Sequence, residues 1–287
     1  MNFFDLTNKT AIVTGACGLI GQKHCEALAL AGANVVVADL HIEKAREVAA
    51  GLPGSIHLPL AVDVTSPESL AAARDEIITH FGHIDVLVNN AGLMFGAQRE
   101  VSPDGYEMTL ATNHLGPFLL TSLLFDLLQK SPAARVVNVA SMAYRFSKPT
   151  LDDLQSERSY SAVWEYGNTK LWNIMFTQEL AQRLRAHGIT NVMTNALHPG
   201  AVATGYGKQS GGWLSAALAV ARPFMISPEH GAETSIFLAT DATVGTVSGG
   251  FFSKKKAEPV KSTFNTPANN RRLWELSEQL TGTKFLD

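Results

Sequence analysis

Short apolar runs rich in β-branched residues alternate along the chain with longer segments of helical periodicity. The predicted strands are residues 10–14, 34–39, 56–63, 84–89, 135–141 and 192–197. The predicted helices are residues 21–31, 42–50, 67–81, 105–128, 161–186 and 228–240. A further strand near 246–252 and a terminal helix near 269–280 complete the pattern. This alternation is typical of a parallel sheet covered by helices on both faces.

The fold class predicted from this pattern is α/β, with one doubly wound sheet of about seven strands in a single domain over residues 1–287. No internal repeat or low-complexity linker divides the chain. In an open parallel sheet, ligands bind at the carboxyl ends of the strands. The chemically informative residues follow or end predicted strands, at Gly15, Asp39, Asp63, Asn90, Ser141, Pro199 and Gly200.

Composition narrows the possible partners. The 287 residues are 46% hydrophobic and 17% charged, with a formal net charge of −3, so no broad basic surface favours nucleic acid or anionic lipid. The only basic run, Lys254-Lys255-Lys256, is interpreted as a solvated loop. The two cysteines suit neither a disulfide framework nor a metal site, and His80 and His83 have no third ligand nearby. With no leader or apolar span, we expect a cytoplasmic protein without a membrane anchor.

Glycines at three-residue spacing join the first strand to its helix. Such a loop lets a pyrophosphate approach the backbone and the positive end of the helix. The residues expected to hold it are Gly15, Cys17, Gly18, Leu19, Ile20 and Gly21. Asp39, with Leu40 beside it, stands about twenty positions on, where a carboxylate accepts bonds from ribose hydroxyls and repels a 2′-phosphate. We therefore expect NAD(H) rather than NADP(H), although Asp39 could instead cap the next helix.

Three further turns outline the rest of a dinucleotide site, although each alone could be ordinary turn chemistry. The first would hold the adenine edge, the second would bring backbone against the ribose, and the third would reach the nicotinamide carboxamide. In that order they are Asp63-Val64, Asn90-Ala91-Gly92, and Pro199-Gly200 with Val202 and Thr204.

The candidate catalytic pair is Tyr166 and Lys170, four residues apart on one face of a predicted helix. A nearby ammonium favours the phenolate, whose unperturbed pKa is ~10, and makes the tyrosine useful as an acid or base. Ser141 could hold a substrate oxygen beside it. Pro117 has no N–H for the carbonyl of Asn113, which could hold a water that passes protons to Lys170, or could be an irregularity without a chemical role.

Together these residues resemble the short-chain dehydrogenase/reductase family over residues 6–283. The resemblance rests on the 14–21 loop, Asn89-Asn90-Ala91-Gly92, Asn113, Ser141, Tyr166-x-x-x-Lys170 and Pro199-Gly200. It implies a Rossmann fold and a tetrad in which Tyr166 is the general acid/base and Ser141 orients the substrate. Lys170 would bind the nicotinamide ribose and lower the tyrosine pKa, while Asn113 would hold the relay water. Family resemblance also makes the two long helices a dimer or tetramer surface, through Leu115, Leu119, Leu124, Trp172, Ile174 and Phe176.

The later two-thirds of the chain is similar to the retinol-dehydrogenase-like branch of that family. The shared segments are Asn113-His114-Leu115-Gly116, Asp152-Asp153-Leu154, Tyr166-Gly167-Asn168-Thr169-Lys170, Leu197-His198-Pro199-Gly200 and Arg272-Leu273-Trp274. That branch commonly has a basic residue for NADP(H) near the end of the second strand, where this chain has Asp39. The Gly18-Leu19 pair also departs from the usual single-domain glycine loop.

An apolar small-molecule alcohol or ketone is the expected substrate. Residues 200–226, with the apolar stretch 211–225, are interpreted as a substrate-side lid or, equally, a subunit contact, and residues 253–287 as a C-terminal tail and helix. Further apolar wall could come from Met94, Phe95, Met142, Tyr160 and Trp164. Two other functions stay open at this point: an NAD(H) sensor without turnover, and an epimerase or dehydratase that uses the nicotinamide only transiently.

Overall fold

The computed structural model describes residues 5–54, 56–200 and 226–287, and within them builds one eight-stranded sheet. The strands are β1 Thr10–Thr14, β2 Asn34–Asp39, β3 His57–Ala61, β4 Val86–Asn89, β5 Ala134–Val139, β6 Val192–His198, β7 Phe251–Ser253 and β8 Lys256–Ala257. Their order is β3-β2-β1-β4-β5-β6-β7-β8, and every neighbouring pair is parallel except β7 and β8. The α/β fold class is confirmed, with one strand more than the sequence predicts.

Helices cover both faces of this sheet. They are α1 Leu19–Leu30, α2 Ile42–Gly51, α3 Pro67–His80, α4 Met108–Leu110, α5 Gly116–Leu123, α6 Phe125–Gln129, α7 Ala162–Ala186, α8 Pro228–Thr240 and α9 Pro267–Thr281. Successive strand residues alternate between the two faces. Ile12 and Val36 pack with Phe118 of α5, whereas Val13 and Val37 belong to a separate core with α1. Both faces are therefore apolar, which explains the unbroken hydrophobic runs in the sequence.

Two strands end earlier than predicted. β3 ends at Ala61 rather than at Asp63, and β5 ends at Val139 rather than at Ser141. The Asp63 carboxylate accepts hydrogen bonds from the amide and hydroxyl of Thr65, and the Ser141 hydroxyl accepts one from the amide of Ala143. These local bonds turn the chain out of the sheet. Both residues consequently lie beyond the carboxyl edge rather than in a strand.

The predicted helix over residues 105–128 is broken into α4, a π-helical turn at Ala111–Leu115, α5 and α6. The amide of Gly116 donates a hydrogen bond to the carbonyl of Ala111, which closes this wide turn. Helix α5 therefore begins at Gly116, and Pro117 lies in the first turn of α5. A proline there forfeits no helical hydrogen bond. The irregularity predicted between Asn113 and Pro117 is therefore present, as a π-helical turn that carries Asn113.

The lysine run forms a tight hairpin rather than a loop. β7 begins at Phe251, later than the predicted strand, and pairs antiparallel with β8 through a turn at Lys254 and Lys255, whose φ values are +50° and +62°. Two-residue hairpin turns with positive φ favour asparagine and glycine, so two lysines gave no signal for it.

The C-terminal helix α9 and the residues after it cover the apolar faces of α5 and α7. The Trp274 ring lies 5.0 Å from the Phe118 ring and 4.7 Å from the Phe285 ring, and stacks on Phe176 at 5.8 Å. The six apolar residues interpreted as a subunit surface are all buried within the single chain: Leu115, Leu119, Leu124, Trp172, Ile174 and Phe176. That interpretation of these residues was wrong, because the chain covers them itself. A homodimer or homotetramer stays a prediction without their support.

Among the described residues, helix length and hydropathy rule out a helix that spans a membrane.

Candidate active site

The carboxyl edge of the sheet is fixed where β1 and β4 end side by side. The Thr14 hydroxyl accepts hydrogen bonds from the amides of Asn90 and Ala91, both at 3.1 Å. The Asn90 side-chain amide donates to the carbonyls of Thr14 at 2.8 Å and Gly15 at 3.1 Å. The turn after β4 is thereby attached to the glycine-rich loop, and Asn90 shapes that loop from its side.

The glycine-rich loop leaves the N-terminus of α1 open. Gly15 has φ +61°, and a Cβ there would stand 2.9 Å from the Cα of Ala91. A Cβ on Gly21 would stand 2.2 Å from the Gly15 carbonyl oxygen, so only glycine allows this loop to close on its helix. The N-cap, Gly18, has no side chain to bond the first amides of α1. Free amides at the positive helix end suit a pyrophosphate, and these residues therefore fit a dinucleotide.

Asp39 lies at the end of β2 against this loop. Its carboxylate accepts hydrogen bonds from the amide of Cys17 at 2.9 Å and the amide of His41 at 3.3 Å. The N-cap of α2 is His41, so Asp39 contacts the residue that precedes the helix without capping it. Burial, together with the Asp39 charge, raises the pKa of the Cys17 thiol to about 11. Leu40, next to Asp39, is exposed.

The remaining predicted cofactor contacts lie at the same edge as far as the structure describes them. The Val64 carbonyl oxygen lies against Gly116 at the start of α5. A Cβ on Gly116 would stand 2.4 Å from that oxygen. Pro199 and Gly200 follow β6, and Gly200 has φ +97°. Val202, Thr204 and the stretch 211–225 lie outside the described residues.

Lys170 and Asn113 meet across Gly92. A Cβ on Gly92 would stand 3.1 Å from Lys170 Nζ and 3.2 Å from Asn113 Oδ1. Asn113 accepts from the amide of Leu93 at 2.8 Å and donates to its carbonyl at 2.9 Å, so the side chain holds that backbone segment in place. It also donates to the Thr169 hydroxyl of α7 at 3.1 Å. The π-helical turn thus connects the turn after β4 to the helix that carries Lys170.

Lys170 is a buried cation beside Tyr166. It is 2% exposed, its Nζ donates to the Val139 carbonyl at 3.1 Å, and Nζ lies 5.4 Å from the centroid of the partly buried Tyr166 ring. Burial lowers the pKa of Lys170 to about 8. An ammonium this close to a phenol favours the phenolate form. Ser141, partly buried just beyond β5, retains a hydroxyl proton that it can donate.

Sequence reasoning missed Gly167, which sets the distance between α7 and the segment after Ser141. A Cβ on Gly167 would stand 2.9 Å from the Ala143 carbonyl oxygen and 3.0 Å from the Ser147 amide nitrogen. A glycine inside a long helix costs about 1 kcal/mol relative to alanine, so its presence beside Tyr166 was the available signal. Glu165 and Asn168, also buried around Tyr166, gave no such signal.

Two histidines lie next to the predicted site: His114 is buried and His198 is partly buried. His114 bonds the Ser277 hydroxyl at 2.9 Å, and burial lowers its pKa to about 4. Burial also lowers the pKa of His198 to about 4, with the Arg145 and Lys254 charges adding to the shift. No group of three or more potential metal ligands occurs in the described ranges.

Comparison with known proteins agrees with this geometry. The family model for short chain dehydrogenase matches residues 9–214. Retinol dehydrogenase 14 of Mus musculus is 36% identical over 96% of this chain and 86% of its own length, and Retinol dehydrogenase 12 of Homo sapiens is 35% identical over 98% and 89%.

Solved structures show the same fold. An uncharacterised protein from Mycobacterium paratuberculosis superposes with a TM-score of 0.78 at 29% identity, over 99% of this chain and 97% of that one. A 3-ketoacyl-(acyl-carrier-protein) reductase from Brucella melitensis, complexed with NADH, gives 0.68 at 25% identity, over 86% and 96%. The chain belongs to the short-chain dehydrogenase/reductase family, in its retinol-dehydrogenase-like branch, and is an NAD(P)-dependent oxidoreductase acting on CH–OH and C=O groups.

Proposed function

We propose that the protein is an NAD(H)-dependent dehydrogenase/reductase for apolar secondary alcohols and ketones. The observation that carries this proposal is the buried Lys170 ammonium, held between the Val139 carbonyl and Gly92 and directed toward Tyr166. When bound, the nicotinamide supplies the hydride acceptor or donor. The chain must supply a proton donor and acceptor, a hydrogen bond that orients the substrate oxygen, and a site that excludes water.

Each member of the tetrad has a separate task in this proposal. Tyr166 gives a proton to the carbonyl oxygen, or takes one from the alcohol, at its phenol oxygen. Lys170 stabilises the phenolate by its charge and binds the nicotinamide ribose. Ser141 donates its hydroxyl proton to the substrate oxygen and so orients it. Asn113 fixes the backbone at Leu93 next to Lys170 and holds the water through which the lysine exchanges protons with solvent.

The preference for NAD(H) rests on the position of Asp39 beside the Cys17 amide. A carboxylate there bonds ribose hydroxyls and repels the 2′-phosphate of NADP(H). The amides from Gly18 to Gly21 would hold the pyrophosphate, while Leu40, Asp63 and Val64 would border the adenine.

An apolar substrate is favoured by three large apolar side chains left exposed on segments next to Tyr166. Leu93, Phe146 and Trp164 are 47%, 69% and 38% exposed. Burial of such surface against a ligand is worth roughly 25 cal/mol per Å². The names of the retinol dehydrogenases among the relatives make retinol a compound to include in any substrate panel.

The deciding experiment measures NAD(H) and NADP(H) binding to wild type and Asp39→Ala, followed by turnover on apolar secondary alcohols, ketones and retinol. We expect tight NAD(H) binding that weakens in Asp39→Ala. We also expect turnover to fall about a thousandfold in Tyr166→Phe, with cofactor binding unchanged. Preference for NADP(H) would overturn the role of Asp39. Cofactor binding without turnover on any compound would favour the sensor, and ketone reduction without alcohol oxidation would make the protein a reductase alone.

A further inference from the structure

A buried glutamate stands next to Tyr166 and takes no part in the proposed chemistry. Glu165 is 1% exposed, and its Oε2 accepts hydrogen bonds from the Ser156 hydroxyl at 2.5 Å and the Asn168 side-chain amide at 3.4 Å. Its Oε1 is also buried and bonds to none of the described residues. Burying a carboxylate costs free energy unless hydrogen bonds offset that cost, so the residues bonded to Glu165 indicate its role.

The partner Ser156 is held in an unfavourable backbone conformation. It is buried with φ +50°, a region in which a residue with a side chain costs on the order of 1–2 kcal/mol. Its amide donates to the Asp153 carbonyl at 3.0 Å, which closes the turn that directs its side chain inward. In this conformation the Ser156 hydroxyl reaches Glu165.

A second attachment lies one turn of helix away. Asn168 accepts a hydrogen bond from the amide of Lys148 at 2.9 Å, and Lys148 Nζ lies 3.3 Å from the centroid of the Trp164 ring. Residues 147–161, called the wall segment below, connect the turn after Ser141 to α7. Side chains on either side of Tyr166 therefore hold the wall segment at two points, near its start at Lys148 and in its second half at Ser156.

The wall segment is also bonded to the chain that follows Gly92. Tyr160 donates its hydroxyl to the Gly96 carbonyl at 3.2 Å, and Arg99 donates to the Gln155 carbonyl at 2.9 Å. The segment containing Gly96 follows Gly92 and Leu93, which contact Lys170 and Asn113. The wall segment is therefore bonded both to α7 and to the segment that follows Gly92.

The surroundings of Glu165 are acidic. Burial raises the pKa of Glu165 to about 7, the Ser156 bond opposes the rise, and the charges of Glu107 and Asp153 add to it. Burial likewise raises the pKa of Glu107, which Arg99 partly offsets, and raises that of Tyr160 to about 12.

We infer that Glu165 is a positioning residue for the substrate: through Ser156, and together with Asn168, it attaches the wall segment to the helix that carries Tyr166 and so fixes the width of the substrate cleft. The inference rests on the proposed function for the location of that cleft. It assigns to Glu165 an effect on substrate binding and none on proton transfer.

The test compares steady-state kinetics of Ser156→Ala, Glu165→Ala, the double variant and Glu165→Gln on the best substrate of the panel. Ser156→Ala should raise KM about fivefold, the effect of one lost hydrogen bond, with kcat within about twofold and NAD(H) affinity unchanged. KM of the double variant should be no higher than that of the more affected single variant, because both substitutions remove the same hydrogen bond. Glu165→Gln retains an acceptor and should restore KM to near the wild-type value.

Ser161→Ala is the matched control, since this serine lies in the same segment and its side chain does not cap α7. Hydrogen exchange of residues 147–161 should speed up in Ser156→Ala and stay unchanged in Ser161→Ala. An unchanged KM in Ser156→Ala, a fall in kcat alone, or additive effects in the double variant would each overturn the inference. These outcomes are separable from the proposed function, which is tested by turnover on the substrate panel, by the loss of turnover in Tyr166→Phe and by the cofactor preference.

If Glu165→Ala does not fold, Ser156→Ala and Glu165→Gln decide the matter by themselves. A raised KM in Ser156→Ala together with a normal KM in Glu165→Gln supports the inference. A normal KM in Ser156→Ala overturns it.

Discussion

Helix α7 carries two buried charges five residues apart, and each faces a different region of the molecule. Lys170 points to the proposed cofactor side, where it meets the Val139 carbonyl and Gly92. Glu165 points to the proposed substrate side, where it meets Ser156 and Asn168. Within the described part of the chain, neither forms an ion pair. Helix α7 thus carries the lysine of the proposed proton transfer on one side and the glutamate that bonds the wall segment on the other.

The two regions are built differently. The proposed cofactor side is made of backbone brought close by Gly15 and Gly21, where an added Cβ would stand within 2.9 Å of neighbouring backbone atoms. The substrate side is made of side-chain hydrogen bonds that join separate segments. Backbone geometry conserves a shape needed for one fixed ligand, whereas side-chain links can be exchanged without disturbing the fold. Variants on the two sides should therefore fail in different ways.

The largest effect is expected from Gly21→Ala on the cofactor side. The new Cβ would meet the Gly15 carbonyl oxygen at 2.2 Å, so the loop must move away from its helix. We expect NAD(H) affinity to fall by about a hundredfold or more, by the energy of several lost amide contacts. Titration by nicotinamide fluorescence measures it. Gly51→Ala is the control, because nothing lies within 4 Å of a Cβ there, and it should bind as wild type does.

A change in stability of a few kcal/mol is expected from Lys170→Met without cofactor. The pKa of Lys170 is lowered from 10.5 to about 8, so between these values the unfolded chain binds more protons than the folded one. The free energy of unfolding of wild type therefore gains with rising pH in that window, and the variant lacks this gain. Urea unfolding at pH 7 and near pH 10 should show the variant's relative advantage shrinking. A constant difference would contradict the burial of a charged lysine.

Glu165→Gln should give the opposite pH dependence, with an effect of similar size because the pKa values of Glu165 and Lys170 move by about the same amount from their ordinary values. Its pKa is raised from 4.5 to about 7, so the folded chain binds more protons between these values. Wild type accordingly loses stability as the pH rises from 4.5 through 7, and the glutamine variant does not. The same urea series at pH 5 and pH 8 tests this. If the two variants showed slopes of the same sign, the comparison between the two sides of α7 would be wrong.

The smallest effect is expected outside both regions, from Lys254→Asn in the β7–β8 turn. Asparagine tolerates the φ of +50° better than lysine, so the free energy of unfolding should rise by about 0.5–1 kcal/mol. Cofactor affinity and KM should not change. A shift in either would show that the hairpin contributes to the site.

The fold was predictable as far as it depends on local pattern. β1, β2 and α8 begin and end where the periodicity places them, because buried parallel strands and amphipathic helices leave strong signals. The irregularity before Pro117 was predicted but its π-helical form at Ala111–Leu115 was not, and the short β8 was missed because its pairing depends on a turn without the usual asparagine or glycine. Asp63 and Ser141 were placed in strands because side-chain bonds that end a strand do not alter its hydrophobic pattern.

Of the candidate site, the residues with recognisable chemistry were predictable and their supports were not. Tyr166, Lys170 and the glycine-rich loop follow from spacing and residue type. Nothing in the sequence shows that Asn113 holds the backbone of Leu93 or that Glu165 reaches Ser156, because these pairs meet only in the folded chain. The roles of all these residues, the cytoplasmic location and the lid at 200–226 stay predictions.

The covering of α5 and α7 by the C-terminal helix also constrains how the protein is made. Phe118 and Phe176 leave the ribosome well before Trp274 and Phe285, which bury them in the finished chain. Until residues 267–285 emerge, the nascent polypeptide presents an apolar surface of the kind that chaperones bind and that aggregates when left open. The nascent chain is therefore prone to aggregation until helix α9 is synthesised and covers this surface.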